Sequence, residues 1–196
     1  MSLKLIFMGT PEFAVPILET LINSQHNILT VYTQNPKKSN RGQKLNISPV
    51  EEYSNQNKIK VRNPKNLDLE EANYIKKINP DVVVVAAYGK IIPERILKIN
   101  KINFINVHAS LLPKWRGAAP IQRSLIEMDK ETGISIMKIV PKLDSGPYLL
   151  QEKVKIDKNE NLKTLSNKLS NLGSRLILKA LELIEKNNYE LKNQEE

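Results

Sequence analysis

The chain has 196 residues, a formal charge of +9 and no cysteine. That length suits one domain with its own core, and the missing thiols exclude disulfides, cysteine-ligated zinc and thiol catalysis. No apolar run approaches the ~18 residues of a membrane span, and the opening MSLKLIFMGTPEF lacks the order of parts of a cleavable signal, so a cytoplasmic protein is expected.

A first strand is predicted over residues 3–8, ending at Gly9, and an amphipathic helix over 11–24 behind Pro11. Residues 28–33 alternate and are β-branched, as a second strand requires. A basic, polar loop follows over 34–46, longer than strand–helix connections usually are. Within 34–65, Lys37, Lys38, Arg41, Lys44, Lys58, Lys60, Arg62 and Lys65 face only Glu51 and Glu52, so a sixth of the chain holds two thirds of its net charge. Such a field attracts polyanions.

Ser48-Pro49 with Glu51 and Glu52 marks a helix start, and residues 59–61 a short strand. A helix is predicted over 67–78. The continuous apolar run over 81–87 suits a strand buried on both faces of a parallel sheet. Further elements follow: a helix from 93 to 97, a strand over 104–108, a helix over 119–127, strands over 133–140 and 148–156, and a long helix over 161–187. The polar tail, 188–196, is expected to fray or to begin a linker. Alternating strands and helices imply an α/β fold, a doubly wound, Rossmann-like, mostly parallel sheet with helices on both faces. Ligands of such sheets bind beyond the carboxyl ends of the strands.

The turn after the first strand, Gly9-Thr10-Pro11-Glu12-Phe13, is not GxGxxG, so a dinucleotide site is unsupported and Gly9 serves the tight turn. His26 lies in a polar turn and reads as solvated surface. His108 ends a buried-looking strand, and Asn106, two residues earlier, shares its face. A carboxamide beside an imidazole can donate to a developing oxyanion, and the imidazole can move protons near neutrality. Asp144, in the loop VPKLDSG, is the best carboxylate to orient it; its plain alternative is an Asx-turn residue. Ser110 lacks the G-x-S-x-G elbow of a hydrolase nucleophile. Two distant histidines without cysteine give no metal ligand set. The loop SLLPKWRGAAP carries the single tryptophan, Trp115, which could also plug the core.

Together these stretches resemble the folate-dependent formyltransferases, and among them the branch acting on methionyl-tRNA. The likeness is carried by INVHASLLPKWRGAAPIQRSL (105–125), FMGTPEFAVPILETL (7–21), QNPKKSNRGQKLNISPV (34–50), AAYGKIIP (86–93) and TGISIMKIVPKLDSG (132–146), and runs from residue 3 to about 193. It departs at Gln34-Asn35-Pro36, where the family pattern has Gln-Pro-Asp.

The resemblance implies formyl transfer from 10-formyltetrahydrofolate to the α-amine of initiator methionyl-tRNA, without a metal, by a monomer. Asn106 and His108 would polarise the formyl oxygen, and Asp144 would orient His108 and help move the proton off the amine. Ser110, Leu111, Leu112, Pro113, Tyr88, Gly89, Val140 and Leu143 would border the folate, Phe13 the methionyl side chain, and Lys37, Lys38, Arg41 and Lys44 the tRNA acceptor stem. Residues 1–187 would be the catalytic domain, and the C-terminal tRNA-binding barrel of the family would be absent. Two other readings stay open: a formyltransferase for a small amine, such as an amino-sugar nucleotide or glycinamide ribonucleotide, and a non-catalytic folate- or RNA-binding module.

Overall fold

The computed structural model describes residues 2–39, 44–99 and 101–195. Its main sheet has seven strands in the order β5-β2-β1-β6-β7-β8-β9: β1 Lys4–Gly9, β2 Asn27–Tyr32, β5 Val61–Arg62, β6 Val82–Ala86, β7 Asn103–His108, β8 Glu131–Lys138 and β9 Tyr148–Lys155. The first five in spatial order run parallel, and β8 pairs antiparallel with both β7 and β9. The valines of β6 are buried throughout, as a central strand covered on both faces must be.

One face of the sheet is covered by α1 (Val15–Ile22) and α6 (Leu162–Glu185), whose Leu165, Leu169, Leu172, Leu176, Ile177 and Leu181 enter the larger core cluster with Phe7, Val84 and Val107. The other face packs on α3 (Leu69–Ile78) and α4 (Glu94–Leu97) through Ile75, Ile96 and Tyr32. Two further helices, α2 (Pro49–Gln56) and α5 (Pro120–Ile126), complete the layers. Ser48 caps α2 by accepting from the Glu51 N–H, and Asn161 closes a capping box with Thr164 at the start of α6. Asn79 ends α3 in the left-handed conformation (φ +49°).

Four local readings change. The predicted helix over 11–24 opens with a 3-10 turn, Glu12–Ala14, before α1 begins. The basic segment expected as a loop contains a hairpin, β3 (Lys37–Ser39) with β4 (Lys44–Asn46); lysine-rich three-residue strands carry too little apolar pattern to announce themselves. Gly9 serves close packing: a Cβ there would lie 2.7 Å from Phe7 Cε1 and 2.9 Å from Ala14 Cβ. The tail is docked rather than frayed, because Lys192 exchanges two 2.9 Å main-chain hydrogen bonds with Tyr148 at the start of β9.

The chain leaves β1 outward to β2 and later returns to β6 on its other side, which puts the reversal of strand order between β1 and β6. Loops following strands on either side of such a reversal diverge and leave a crevice. Gly173 lets α6 press against the neighbouring strand, since a Cβ there would approach Val107 Cγ1 to 2.9 Å. This contact fixes β7, the strand that carries Asn106 and His108, from behind.

Candidate active site

A cleft of about 730 Å³ opens at that crevice, within the range of small-molecule sites. It is bounded by Pro11 and Phe13 after β1, by residues 87–92 after β6, by Asn106 and His108 on β7, and by Val140, Leu143 and Asp144 in the β8–β9 loop. All but the last set follow or terminate parallel strands.

Antiparallel pairing with β8 sets Asn106 opposite Met137 and His108 opposite Ser135. The two side chains therefore share the cleft face, while Val107 between them is buried in the core behind. Asp144 meets both. Its Oδ1 accepts from Asn106 Nδ2 at 3.5 Å, and its Oδ2 lies 3.6 Å from His108 Nδ1. The same Oδ2 accepts the Gly117 N–H at 2.9 Å. On the other side of the ring, His108 Nε2 lies 2.9 Å from the Trp115 carbonyl oxygen. A carbonyl oxygen can only accept, so Nε2 carries a hydrogen there, while Nδ1 faces the carboxylate.

Trp115 does not plug the core. It is half-buried, adopts a left-handed backbone (φ +60°), and donates its indole N–H to Asp129 Oδ2 at 2.8 Å. That anchor holds the Trp115 carbonyl against His108. Asp129 also accepts from Lys114 Nζ; burial opposes its charge, but these two hydrogen bonds outweigh it and hold the carboxyl below its ordinary range.

The remaining expected positions divide. Phe13, Tyr88, Gly89, Val140 and Leu143 line the cleft. The Tyr88 ring is buried in the second core cluster, so this residue meets the cleft by its main chain, whose carbonyl accepts from Thr10 Oγ1 and Gln34 Nε2. Ser110, Leu111, Leu112 and Pro113 do not line it, contrary to expectation. Ser110 Oγ donates to the Lys114 carbonyl, Leu112 N–H donates to Ser135 Oγ, and the Leu112 carbonyl accepts from Gln151 Nε2, which draws this stretch toward β8 and β9. Arg41 lies outside the described residues; Lys37, Lys38 and Lys44 lie in the β3–β4 hairpin.

Sequence reasoning missed Gly117, whose N–H holds the carboxylate, although the small residues of RGAAP were a signal for close backbone approach. It also missed Ile91, Ile92 and Leu162 in the cleft wall; an apolar residue carries no mark that separates a ligand-facing wall from packed core. Among the described residues no group of three or more His, Asp or Glu side chains is placed to hold a metal ion, and no helix is long and apolar enough to cross a membrane.

A family model described as formyl transferase matches residues 3–181. The chain belongs to the formyl transferase family. The chain is 50% identical, over all of its own length and 64% of the relative's, to methionyl-tRNA formyltransferase of Pelagibacter ubique. It is 51% identical to that of Wolbachia sp. subsp. Drosophila simulans (94% of this chain, 62% of the relative) and 46% identical to that of Coxiella burnetii (100% and 63%). The chain thus spans a little under two thirds of these relatives. Among solved structures, glycinamide ribonucleotide transformylase 1 from Symbiobacterium toebii shares the fold at a TM-score of 0.78 and 16% identity, covering 99% of this chain and 95% of that one. An N-formyltransferase from Helicobacter canadensis, solved with folinic acid and dTDP-3-aminofucose, gives 0.73 at 25% identity, covering 100% and 68%.

Proposed function

We propose that this chain carries the centre that moves a formyl group from 10-formyltetrahydrofolate to the α-amine of methionyl-tRNA. The observation that carries the reading is the convergence of Asn106, His108 and Asp144 at one cleft wall of a formyl transferase. The acceptor is taken from the curated relatives, which are methionyl-tRNA formyltransferases at about half identity over this whole chain.

The cleft suits the donor in size and in wall. A flat heterocycle needs apolar faces and a few main-chain partners, and Ile92, Val140 and the main chain of residues 88–90 supply both. The donor brings a formyl carbon bonded to a nitrogen that can depart.

The acceptor amine attacks that carbon, a C–N bond forms, and charge develops on the formyl oxygen. Asn106 Nδ2 and His108 Nδ1, which lies 3.6 Å from Asp144 and so beyond hydrogen-bond reach of it, are the donors assigned to that oxygen, while Nε2 stays on the Trp115 carbonyl. Donors fixed before reaction stabilise an oxyanion more than mobile water does, and removing one such donor costs about 100–1,000-fold in rate. The amine must then shed a proton, and the departing nitrogen must gain one as its bond to the formyl carbon breaks. Asp144 is the base placed to relay that proton, directly or through a water. Gly117 N–H and the Trp115 carbonyl hold Asp144 and His108 in register during the step.

Phe13 lies across the cleft and is assigned to the methionyl side chain. Lys37, Lys38, Arg41 and Lys44 are assigned to the acceptor stem. The hairpin follows β2, whose carboxyl end lies beside that of β1, and the Gln34 amide ties its root to the Tyr88 carbonyl in the cleft wall. Phosphate contacts of this kind weaken steeply with salt.

Offering the protein 10-formyltetrahydrofolate with methionyl-tRNA, glycinamide ribonucleotide or an amino-sugar nucleotide tests the reading. Formyl-methionyl-tRNA should form, at a rate that falls as salt rises. Formylation of a small amine with none of the tRNA would overturn it.

A further inference from the structure

We propose that Gln194, in the tail that sequence reasoning set aside, is a positioning residue for the Asp144 carboxylate. The inference rests on the role given above to Asp144. Gln194 Nε2 donates to the Asp144 carbonyl at 2.9 Å and to the Gly146 carbonyl at 2.7 Å, while its Oε1 accepts from Arg116 Nε at 2.7 Å. One carboxamide thus spends its donors and its acceptor on the two loops that meet at Asp144.

Both loops need such a tie. Asp144 adopts a left-handed backbone (φ +45°), uncommon for a residue with a Cβ although aspartate tolerates it better than most, and held by contacts from its surroundings. Gly117 also has a positive φ (+87°), and its N–H is the donor that holds Asp144 Oδ2. Arg116 is the residue before Gly117, so the Gln194–Arg116 bond sets the approach of that N–H to the carboxylate. The tail is itself anchored: two residues earlier, Lys192 extends the sheet by its paired main-chain bonds to Tyr148. Sheet edge, Lys192, Gln194 and the Asp144 loop form a continuous strap, and the strap ends on the main chain of the residue that carries the proton-relaying carboxylate.

The test compares Gln194→Ala and Gln194→Glu with the parent in the full chain. Gln194→Glu keeps the acceptor for Arg116 but loses both donors to the carbonyls. Both variants should lose at least tenfold in kcat with the folate KM within twofold, and in Gln194→Ala, which also loses the Arg116 bond, the Gly117 amide should exchange with solvent at least tenfold faster while the Val84 amide at the sheet centre does not change. A merely structural role would speed exchange across the sheet and leave kcat per folded molecule at the parent value. Parental kcat in Gln194→Ala, or a Gly117 amide exchanging at the parental rate in that variant, overturns the proposal. Exchange is read without turnover, so the claim is decided even on a preparation that transfers nothing. Loss of activity in Asp144→Asn beside an unaffected Gln194→Ala removes only this proposal; an unaffected Asp144→Asn removes the reading beneath it.

Discussion

Glu71 and Asp144 are both carboxylates held by hydrogen bonds, and their surroundings put them to different uses. Asp144 stands at a cleft, with a ring nitrogen and a carboxamide on its reactive side. Glu71 is 5% exposed and does not line that cleft. Its Oε2 accepts from the Tyr32 hydroxyl at 2.7 Å and from Arg62 Nε at 2.9 Å, and its Oε1 takes a second Arg62 bond at 2.5 Å. Burial and the neighbouring carboxylate push the Tyr32 phenol well above its ordinary value, so Tyr32 remains a donor at any pH the fold tolerates. This bidentate pair is structural. Removing one partner of a buried pair strands the other, so Glu71→Ala should cost about 3 kcal/mol, at the lower end of the range for such losses because Arg62 keeps some access to water. Chemical denaturation measures it; an unchanged midpoint would show that water replaces the carboxylate without cost.

At the scale of elements, the buried run of β6, the helical spacing of α6 and the capped start of α2 were legible because each is a local pattern with a local cause. So was the pairing of Asn106 with His108, which follows from the two-residue period of a strand. Asp144 was suggested by its loop, and a positive φ at an aspartate is a device no composition announces. The hairpin β3–β4 was not legible, because three-residue strands rich in lysine look like loop. The bonds of Ser110 and Leu112 to Lys114, Ser135 and Gln151, in a stretch outside the cleft wall, follow from no spacing in the motif. The docking of Gln194 was invisible for a different reason. It depends on contacts across about fifty residues of sequence, and a polar tail offers no periodicity from which to infer them.

For the molecule as a whole, the seam between α1 and β2 makes stability depend on pH. His26, expected on the surface, is partly buried and its Nδ1 accepts the Leu3 N–H at 3.3 Å, a bond that needs the neutral ring. Burial lowers its pKa from 6.5, with Glu185 opposing and the N-terminus assisting. The folded chain therefore takes up this proton at lower pH than the unfolded chain does. Its contribution is complete above about pH 6.5 and is lost as pH falls through the lowered value. Melting temperatures should decline over that interval in the parent and decline less in His26→Gln; parallel profiles would remove His26 as the cause.

The same architecture brings a carboxamide, an imidazole and a carboxylate from β7 and the β8–β9 loop to the crevice where strand order reverses. The most direct measurement of what that assembly does is single-turnover formylation of methionyl-tRNA by the parent, His108→Ala and Asp144→Asn, with folate affinity measured on each. The account predicts at least a 100-fold loss of rate in both variants with folate affinity within threefold of the parent. Either variant transferring formyl at the parental rate would contradict it.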